Sequence, residues 1–254
     1  MLEYALGDGI HAFSTMRTDG ASQGAYAQFN INPYCGDAPE HVAQNLHSLC
    51  RVLGIAPSNL VMPHQTHETT VRQVGSKLLS MPQNVRQMVL EGVDALITNV
   101  PGVCIGVSTA DCIPILLYDA EHRATAAIHA GWRGTVKRIV QNAIAQMRAA
   151  FDTNPRTLRA VIAPGISLQH FEVGDEVYEA FAKAAFPMND IAQRHDKWHI
   201  NLPLCNQLQL QELGVKAENI YATDICTYNR CNDFFSARRL GINSGRIFTG
   251  VTIR

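Results

Sequence analysis

Residues 103–134 read VCIGVSTADCIPILLYDAEHRATAAIHAGWRG, and this stretch decides the fold. Its apolar runs predict buried strands at 103–108, 113–118 and 125–128. The polar segment 119–122 is short enough to join the last two strands as an antiparallel hairpin. A helix is predicted to begin at Thr135, because apolar residues then recur at helical spacing as far as Phe151.

The predicted hairpin brings two reactive side chains together at its open end. If Tyr118 pairs with Arg123 across the turn, Cys112 lies directly opposite His129. Directly opposed strand residues have Cβ atoms about 4.5–5.5 Å apart. The pairing suits two ligands of one metal ion, or a thiolate nucleophile and its base.

The surroundings of both residues have the character of a site. A strand breaks and resumes at Cys112, and a strand gives way to a helix after His129. Gly131 and Gly134 in that second segment allow backbone or ligand to approach closely. The helix start, with Arg133 beside it, also offers a place for an anion such as phosphate.

A catalytic zinc ion would need a third protein ligand. His64 and His67 are the candidates. Residues 68–72 look extended, and in a strand two residues three apart point to opposite faces, so only one histidine should bind. The residues by themselves do not decide which.

The N-terminal part of the chain predicts a long loop and then a helix. Segment 18–38 is rich in Gly, Ser, Asn, Asp and Pro and is typical of a loop. Asp37 and Glu40 have the spacing of a capping box, and Gly54 is the expected end of the helix that follows.

The remaining pattern predicts one layered domain. Further helices are expected near 173–186 and 203–213, and strands at 220–222 and 247–253. Mixed helices and strands around an antiparallel hairpin predict an α/β or α+β layered sandwich with a mixed sheet. No linker interrupts the pattern, so residues 1–254 are taken as a single domain.

Composition excludes several classes of protein. Net charge is −1, so no general attraction to nucleic acid or membrane is expected, and no apolar run is long enough to span a bilayer. The N-terminus lacks the basic and apolar regions of a signal peptide.

The seven cysteines contain no CxxC pair, which predicts reduced thiols, no disulfide and a cytoplasmic location.

Motifs along nearly the whole chain resemble the YfiH/YlmD family. This family is also known as the laccase-domain or purine nucleoside phosphorylase family, is FAMIN-like, and includes proteins called peptidoglycan editing factor. The motifs are, in chain order, Phe13-Ser14-Thr15 with Arg17, Gly20 and Ser22; Cys35-Gly36-Asp37; Gln65-Thr66-His67; Ala110-Asp111-Cys112-Ile113-Pro114; His129-Ala130-Gly131-Trp132-Arg133-Gly134; Phe171-Glu172-Val173-Gly174; Asp224-Ile225-Cys226-Thr227; Phe235-Ser236-Ala237-Arg238-Arg239; and Gly245-Arg246.

The resemblance implies a CNF/YfiH-like fold and a metal site. The family's ligands carry over to His67, Cys112 and His129, which selects His67 over His64, and the implied cofactor is one zinc ion. This chain departs from the family pattern in having Asp19 for Gly, Leu46 for Arg and Glu68 for Gly. None of these departures removes a ligand, but the first two put substrate contacts at those positions in doubt.

The resemblance also implies an activity. Family members cleave inosine, adenosine, guanosine or methylthioadenosine with phosphate, and deaminate adenosine. Zinc-activated water suits the deamination. Phosphate would need cationic partners, and the candidates are Arg17, Arg133 and Arg238. The expected partners are a nucleoside and phosphate, and the protein is expected to be a monomer.

Two other classes of function compete with this interpretation. Cys112 and His129 could be the nucleophile and base of a hydrolase. The resemblance, which includes proteins called peptidoglycan editing factor, implies that such a hydrolase would act on cell-wall precursors. A copper polyphenol oxidase, which an older family name suggests, is less favoured, because the chain has no HxH pair to build a multicopper centre. A purely structural zinc is disfavoured, because such sites usually have four protein ligands.

Overall fold

The computed structural model describes all residues, 1–254, in three sheets and nine helices. The strands are β1 (Leu2–Tyr4), β2 (Ile10–Ser14), β3 (Leu60–Val61), β4 (Val71–Gln73), β5 (Ala95–Thr98), β6 (Cys104–Thr109), β7 (Ile113–Asp119), β8 (Ala124–Ala130), β9 (Arg159–Ile162), β10 (Glu172–Val173), β11 (Ala192–Arg194), β12 (Trp198–Ile200), β13 (Ile220–Ala222) and β14 (Ile247–Ile253). The helices are α1 (Pro39–Leu53), α2 (Ser76–Leu79), α3 (Gln83–Val89), α4 (Trp132–Val136), α5 (Ile139–Phe151), α6 (Asp175–Lys183), α7 (Met188–Ile191), α8 (Leu202–Glu212) and α9 (Ala237–Leu240).

Two sheets face each other in the middle of the molecule. One has six strands in the order β13-β9-β7-β8-β5-β4, and the other has five in the order β1-β2-β14-β6-β3. Leu116 and Ala127 of the first sheet share a buried cluster with Ile105 and Val251 of the second. The mixed, layered architecture predicted from the sequence is confirmed.

Helices cover both outer faces. Alternate residues of β7, such as Ile115 and Leu117, point away from the second sheet into a large cluster with α5, α6 and α8. On the opposite side, Leu49 of α1 packs on Phe13 and Phe248 of the five-stranded sheet. The central strands are therefore buried on both faces, which explains their continuous apolar sequence.

The central hairpin forms, but its predicted register is wrong by two residues. Pro114, not Cys112, lies opposite His129, and Asp119 pairs with Ala124. The Asp119 carboxylate accepts hydrogen bonds from two backbone N–H groups of the turn, so the strand continues through this residue and the turn begins one residue later than predicted.

Two predicted helix starts also need correction. Helix α1 ends at Gly54 as predicted, but its N-cap is Ala38 and no capping box forms. The Asp37 carboxylate is already occupied by Ser22 and Asn30. The helix predicted from Thr135 is two helices, α4 and α5, because the chain turns at Arg138, whose φ is 62°.

All seven cysteines are free thiols. No helix combines the length and the apolar character that crossing a membrane requires.

Candidate metal centre

Three side chains predicted to act together meet at one end of the hairpin. The ligand-type atoms of His67, Cys112 and His129 all lie within 4.8 Å of one another. His129 is buried, Cys112 is half-buried and His67 is exposed, so the group opens to solvent on the His67 side. It is the one cluster of three or more His, Cys, Asp or Glu side chains in the chain that could hold an ion.

Cys112 is placed by a break between β6 and β7. The preceding residue, Asp111, has a φ of 90°, and its carboxylate holds the break in place. It accepts hydrogen bonds from Thr227 Oγ1 and from the backbone N–H of Arg238, each at 2.7 Å. Asp111 therefore anchors the backbone next to Cys112 and does not orient a histidine.

His129 is fixed by a carboxylate behind it. Its Nδ1 lies 2.7 Å from Oδ1 of Asp94, and the side chains of both residues are almost completely buried. A partner at Nδ1 leaves Nε2 of His129 to face Cys112. A carboxylate on the outer nitrogen is the usual support of a metal-binding histidine.

His67 lies in a turn, not in a strand. Its φ is 64°, so the alternation of faces predicted for residues 64–67 does not apply. The same Asp94 that holds His129 accepts hydrogen bonds from the backbone N–H groups of Thr66, His67 and Glu68, at 3.3, 3.0 and 2.9 Å. One buried carboxylate therefore positions two of the three candidate ligands.

His64 takes no part in the cluster. Its Nδ1 faces the carboxylate of Glu91 at 2.8 Å. The cluster thus contains His67, the histidine that the family resemblance selects, and not His64. The left-handed backbone of His67 and the contact of His64 with Glu91 separate the two histidines, and not the alternation of faces along a strand.

Gly131 lets the three side chains converge. A Cβ atom at this position would lie 2.9 Å from Cδ2 of His67 and 3.1 Å from Sγ of Cys112. Real Cβ contacts are longer, so any other residue would push into the point where the donors meet. The close approach predicted for this glycine is therefore used by the site itself.

The electrostatics of the cluster favour a charged pair. Burial raises the pKa of the Cys112 thiol, but the charge of His129 and hydrogen bonds from both histidines outweigh it and lower that pKa to about 6. Burial lowers the pKa of His129, whereas the Cys112 thiolate and Asp94 raise it, to about 9. Both shifts favour a thiolate beside an imidazolium in the metal-free cluster.

Asp94 was not found by sequence reasoning. Burial raises its pKa, but the hydrogen bond and charge of His129, and the backbone N–H groups, lower it overall. Its signal in the sequence is a single carboxylate within the otherwise apolar run 93–97. A charged residue is rarely buried without a partner, so such a residue marks a site to be explained.

The three ligand candidates line a cavity of about 170 Å³. Tyr34, Cys35 and His64 line it as well, and Arg246 supplies a cation. The guanidinium of Arg246 donates to backbone carbonyls of residues 242, 244 and 245, which hold it in place. Arg246 belongs to a motif noted in the sequence, but it was not among the predicted phosphate-binding residues.

The three predicted phosphate-binding arginines do not line this cavity. Arg17 donates to the carbonyls of Ala27 and Cys231, each at 2.6 Å, so its guanidinium stabilises the N-terminal loop.

The other two arginines are engaged elsewhere on the surface. Arg133 is exposed, with its guanidinium carbon 4.4 Å from the centre of the Trp132 ring. Arg238 donates to the carbonyl of Glu172 at 3.0 Å. Only its backbone, through Asp111, supports the segment that carries Cys112.

Comparison with known proteins places this chain in a family. A family model described as multi-copper polyphenol oxidoreductase laccase matches residues 11–254. A protein from Bacteroides thetaiotaomicron named purine nucleoside phosphorylase is 48% identical over 247 residues, which cover 96% of this chain and 92% of that protein. A protein of unknown prokaryotic origin named adenosine deaminase RL5 is 43% identical over 247 residues, covering 96% and 94%.

Solved structures agree with this assignment. The crystal structure of YlmD from Geobacillus stearothermophilus superposes with a TM-score of 0.89 at 27% identity, over 97% of this chain and 93% of that one. The family match and the relatives extend over nearly the whole chain, and the family match includes all three residues of the cluster. The chain therefore belongs to the YfiH family, whose model carries the laccase description.

Proposed function

We propose that this protein is a zinc-dependent purine nucleoside phosphorylase acting on inosine, adenosine, guanosine and methylthioadenosine, and that it also deaminates adenosine. The observation that carries the proposal is the His67–Cys112–His129 cluster with Asp94 behind it. The printed names of the two relatives, one a phosphorylase and one a deaminase, support an enzyme acting on purine nucleosides.

The donor set suits zinc. Two imidazoles and a thiolate are ligands that this metal commonly takes at catalytic sites, with a fourth position left open. The lowered pKa of Cys112 means that its thiolate is available near neutral pH, and Gly131 leaves space where the donors converge. We therefore assign His67, Cys112 and His129 as the residues that hold the ion. When bound there, zinc would supply Lewis acidity and activate water for deamination.

The chain's own residues have separate tasks in this proposal. Asp94 keeps a proton on Nδ1 of His129 and so presents Nε2 to the cluster, and it holds the turn that carries His67. Arg246, the cation at the cavity, is the candidate partner for phosphate. Arg17, Arg133 and Arg238 keep this role only as expectations of the family resemblance.

A Cys–His hydrolase acting on cell-wall precursors is the second candidate. Cys112, His129 and Asp94 have the order of a nucleophile, a base and a carboxylate that orients the base. A metal ion on Cys112 would occupy the nucleophile, so the two functions exclude each other at one site. A copper polyphenol oxidase has less support, because a single cluster of three ligands does not provide a multicopper centre.

The test is metal analysis combined with product analysis. Purified protein should contain about one zinc per chain, and should convert inosine to hypoxanthine only when phosphate is present. Chelation should abolish turnover of inosine and adenosine, and zinc should restore it. Metal-free protein that remains fully active, while Cys112→Ser is inactive, would establish Cys112 as a nucleophile instead.

We also infer small-molecule partners only, a monomer and a cytoplasmic location. The seven free thiols support this location, because they suit a reducing compartment. Size-exclusion chromatography with light scattering tests the monomer, and a mass of two chains would overturn it.

A further inference from the structure

A second histidine–carboxylate pair lies at the same cavity as the candidate metal ligands. His64 lines this cavity together with His67, Cys112 and His129. The backbone of His64 is bonded on both sides to the segment that carries Glu91, from its N–H to the carbonyl of Leu90 at 3.1 Å and from its carbonyl to the N–H of Gly92 at 3.0 Å. Two chain segments therefore hold His64 and Glu91 at a fixed separation.

The side chains continue this arrangement. Nδ1 of His64 lies 2.8 Å from both carboxylate oxygens of Glu91. The imidazole stacks on Tyr34, with 4.1 Å between ring centres and 22° between ring planes. With Nδ1 bonded to the carboxylate and one face covered, the ring has a defined orientation, and Nε2 has no partner within the protein.

Stability does not explain this pair. The side chains of His64 and Glu91 are 36% and 59% exposed, and exposed ion pairs contribute little to folding. A histidine that lines a cavity, with a carboxylate at one nitrogen and no protein partner at the other, is instead the arrangement of a general acid or base. His129 has the same arrangement, but its second nitrogen faces Cys112.

We propose that His64 is a further catalytic residue, the proton donor to the purine leaving group, and that Glu91 is its positioning residue. This inference rests on the proposed phosphorolysis. A phosphate oxygen forms a bond to C1′ while the C1′–N9 bond breaks, and the electron pair of that bond passes into the purine. The proton on Nε2 of His64 moves to N7, so the products are ribose 1-phosphate and a neutral purine. His64 keeps its proton on Nδ1 against Glu91, and regains the other from water.

A leaving group that needs no proton tests the role directly. In 7-methylinosine N7 already carries a methyl group and a positive charge, so the base departs as a neutral molecule without an acid. His64→Ala should lower kcat for inosine about 100-fold or more, with KM little changed, and should lower kcat for 7-methylinosine less than about 10-fold. His47→Ala, which removes an exposed histidine of α1, is the matched control and should leave both values unchanged.

The zinc content of His64→Ala should equal that of the wild type, which separates this role from metal binding. Equal losses for the two substrates, or no loss for inosine, would overturn the inference. A wild type that cleaves neither substrate would instead overturn the proposed function, so the two failures are distinguishable.

A second measurement uses inosine alone. Because Glu91 acts only through His64, Glu91→Gln should lower kcat in the wild-type background and should change it less than about two-fold in the His64→Ala background. Independent effects of the two substitutions would show that Glu91 has no positioning role for His64, and would contradict the proposed pair.

Discussion

The central hairpin carries an aspartate–histidine pair at each end, and the two pairs have different consequences. At the turn, Asp119 lies 2.9 Å from His122, whose side chain is 30% exposed. At the open end, Asp94 lies 2.7 Å from His129, and the side chains are 0% and 2% exposed. The chemical groups are the same, so the difference comes from what surrounds them.

The turn pair stabilises local structure only. Asp119 accepts hydrogen bonds from the turn's own backbone, and no third ligand-type side chain joins His122 in a cluster. At the open end, Cys112 and His67 face His129, and the carboxylate behind it also holds the turn of His67. The same carboxylate–histidine pair therefore supports a candidate metal ligand at one end of the hairpin and only a turn at the other. The difference lies in how deeply the pair is buried and in which side chains surround it.

Removal of the Cys112 thiolate should have the largest effect on the cluster at the open end of the hairpin. We expect Cys112→Ser to lose its bound zinc and to turn over inosine about 100-fold more slowly, or slower still. This loss is larger than the loss expected from removing a hydrogen-bond partner of a ligand. Cys231→Ser, another half-buried thiol that lies outside the cavity, is the control and should retain both. Zinc analysis and steady-state kinetics measure the two effects. Full zinc occupancy in Cys112→Ser would refute the ligand assignment.

The same substitution in the two carboxylates compares the two ends directly. Asp94→Asn should weaken zinc binding about 10- to 100-fold, because the outer partner of His129 loses its charge. Asp119→Asn should leave zinc affinity unchanged and affect stability only. Competition with a chromophoric chelator gives both affinities. Equal zinc affinities in the two variants would mean that Asp94 has no special role at the open end.

Crowding of the open end should have an intermediate effect. Gly131 has φ −69° and ψ 168°, which alanine adopts without strain, so Gly131→Ala isolates the contact of the new Cβ with His67 and Cys112. We expect a loss of about 1–3 kcal/mol in the free energy of unfolding, with weaker zinc binding. At Gly75 a Cβ meets nothing within 4 Å, so Gly75→Ala should cost nothing. Denaturant unfolding measures both, and indistinguishable variants would contradict the close convergence at Gly131.

The smallest effect is expected at the turn and depends on pH. Burial raises the pKa of Asp119, but its hydrogen bonds, including the one to His122, lower that pKa overall. The contribution of Asp119 to folding stability is therefore lost as pH falls through the lowered pKa. The hydrogen bond to Asp119 raises the pKa of His122 in the folded protein. The contribution of His122 to folding stability is therefore present below the unfolded pKa of about 6.5, and it is lost as pH rises through the raised folded pKa.

His122→Gln should therefore destabilise the protein more at pH 5.5 than at pH 8.5. Urea unfolding of the chelated wild type and variant at the two pH values measures the difference. Chelation removes zinc binding, and the titration of the metal-free Cys112–His129 pair is common to both proteins and cancels in the comparison. An equal or larger loss at pH 8.5 would show that no charged pair stabilises the turn.

Much of the fold could be predicted because local patterns specify it. The apolar runs give β6, β7 and β8 to within two residues at each end, and the last strand is predicted with its observed bounds. The register failed because the side chain of Asp119 decides where the turn begins. The helix after His129 is interrupted because Arg138 takes a left-handed conformation, for which the apolar spacing gives no sign.

The candidate site could be predicted in part. The family motifs point to His67, Cys112 and His129, whereas spacing alone left His64 and His67 open. Asp94 was missed because its partners come from distant parts of the chain: the turn around His67 and the end of β8.

The sequence by itself determined which segments are buried, because apolar periodicity records the faces of strands and helices, and it determined the family through its ordered motifs. Only the tertiary structure decided that one buried carboxylate, Asp94, holds two candidate ligands, and that His64 turns to Glu91 instead of joining the cluster. The physical reason is that hydrogen-bond partners and burial depend on distance in space. A residue's own neighbours in the chain do not record them.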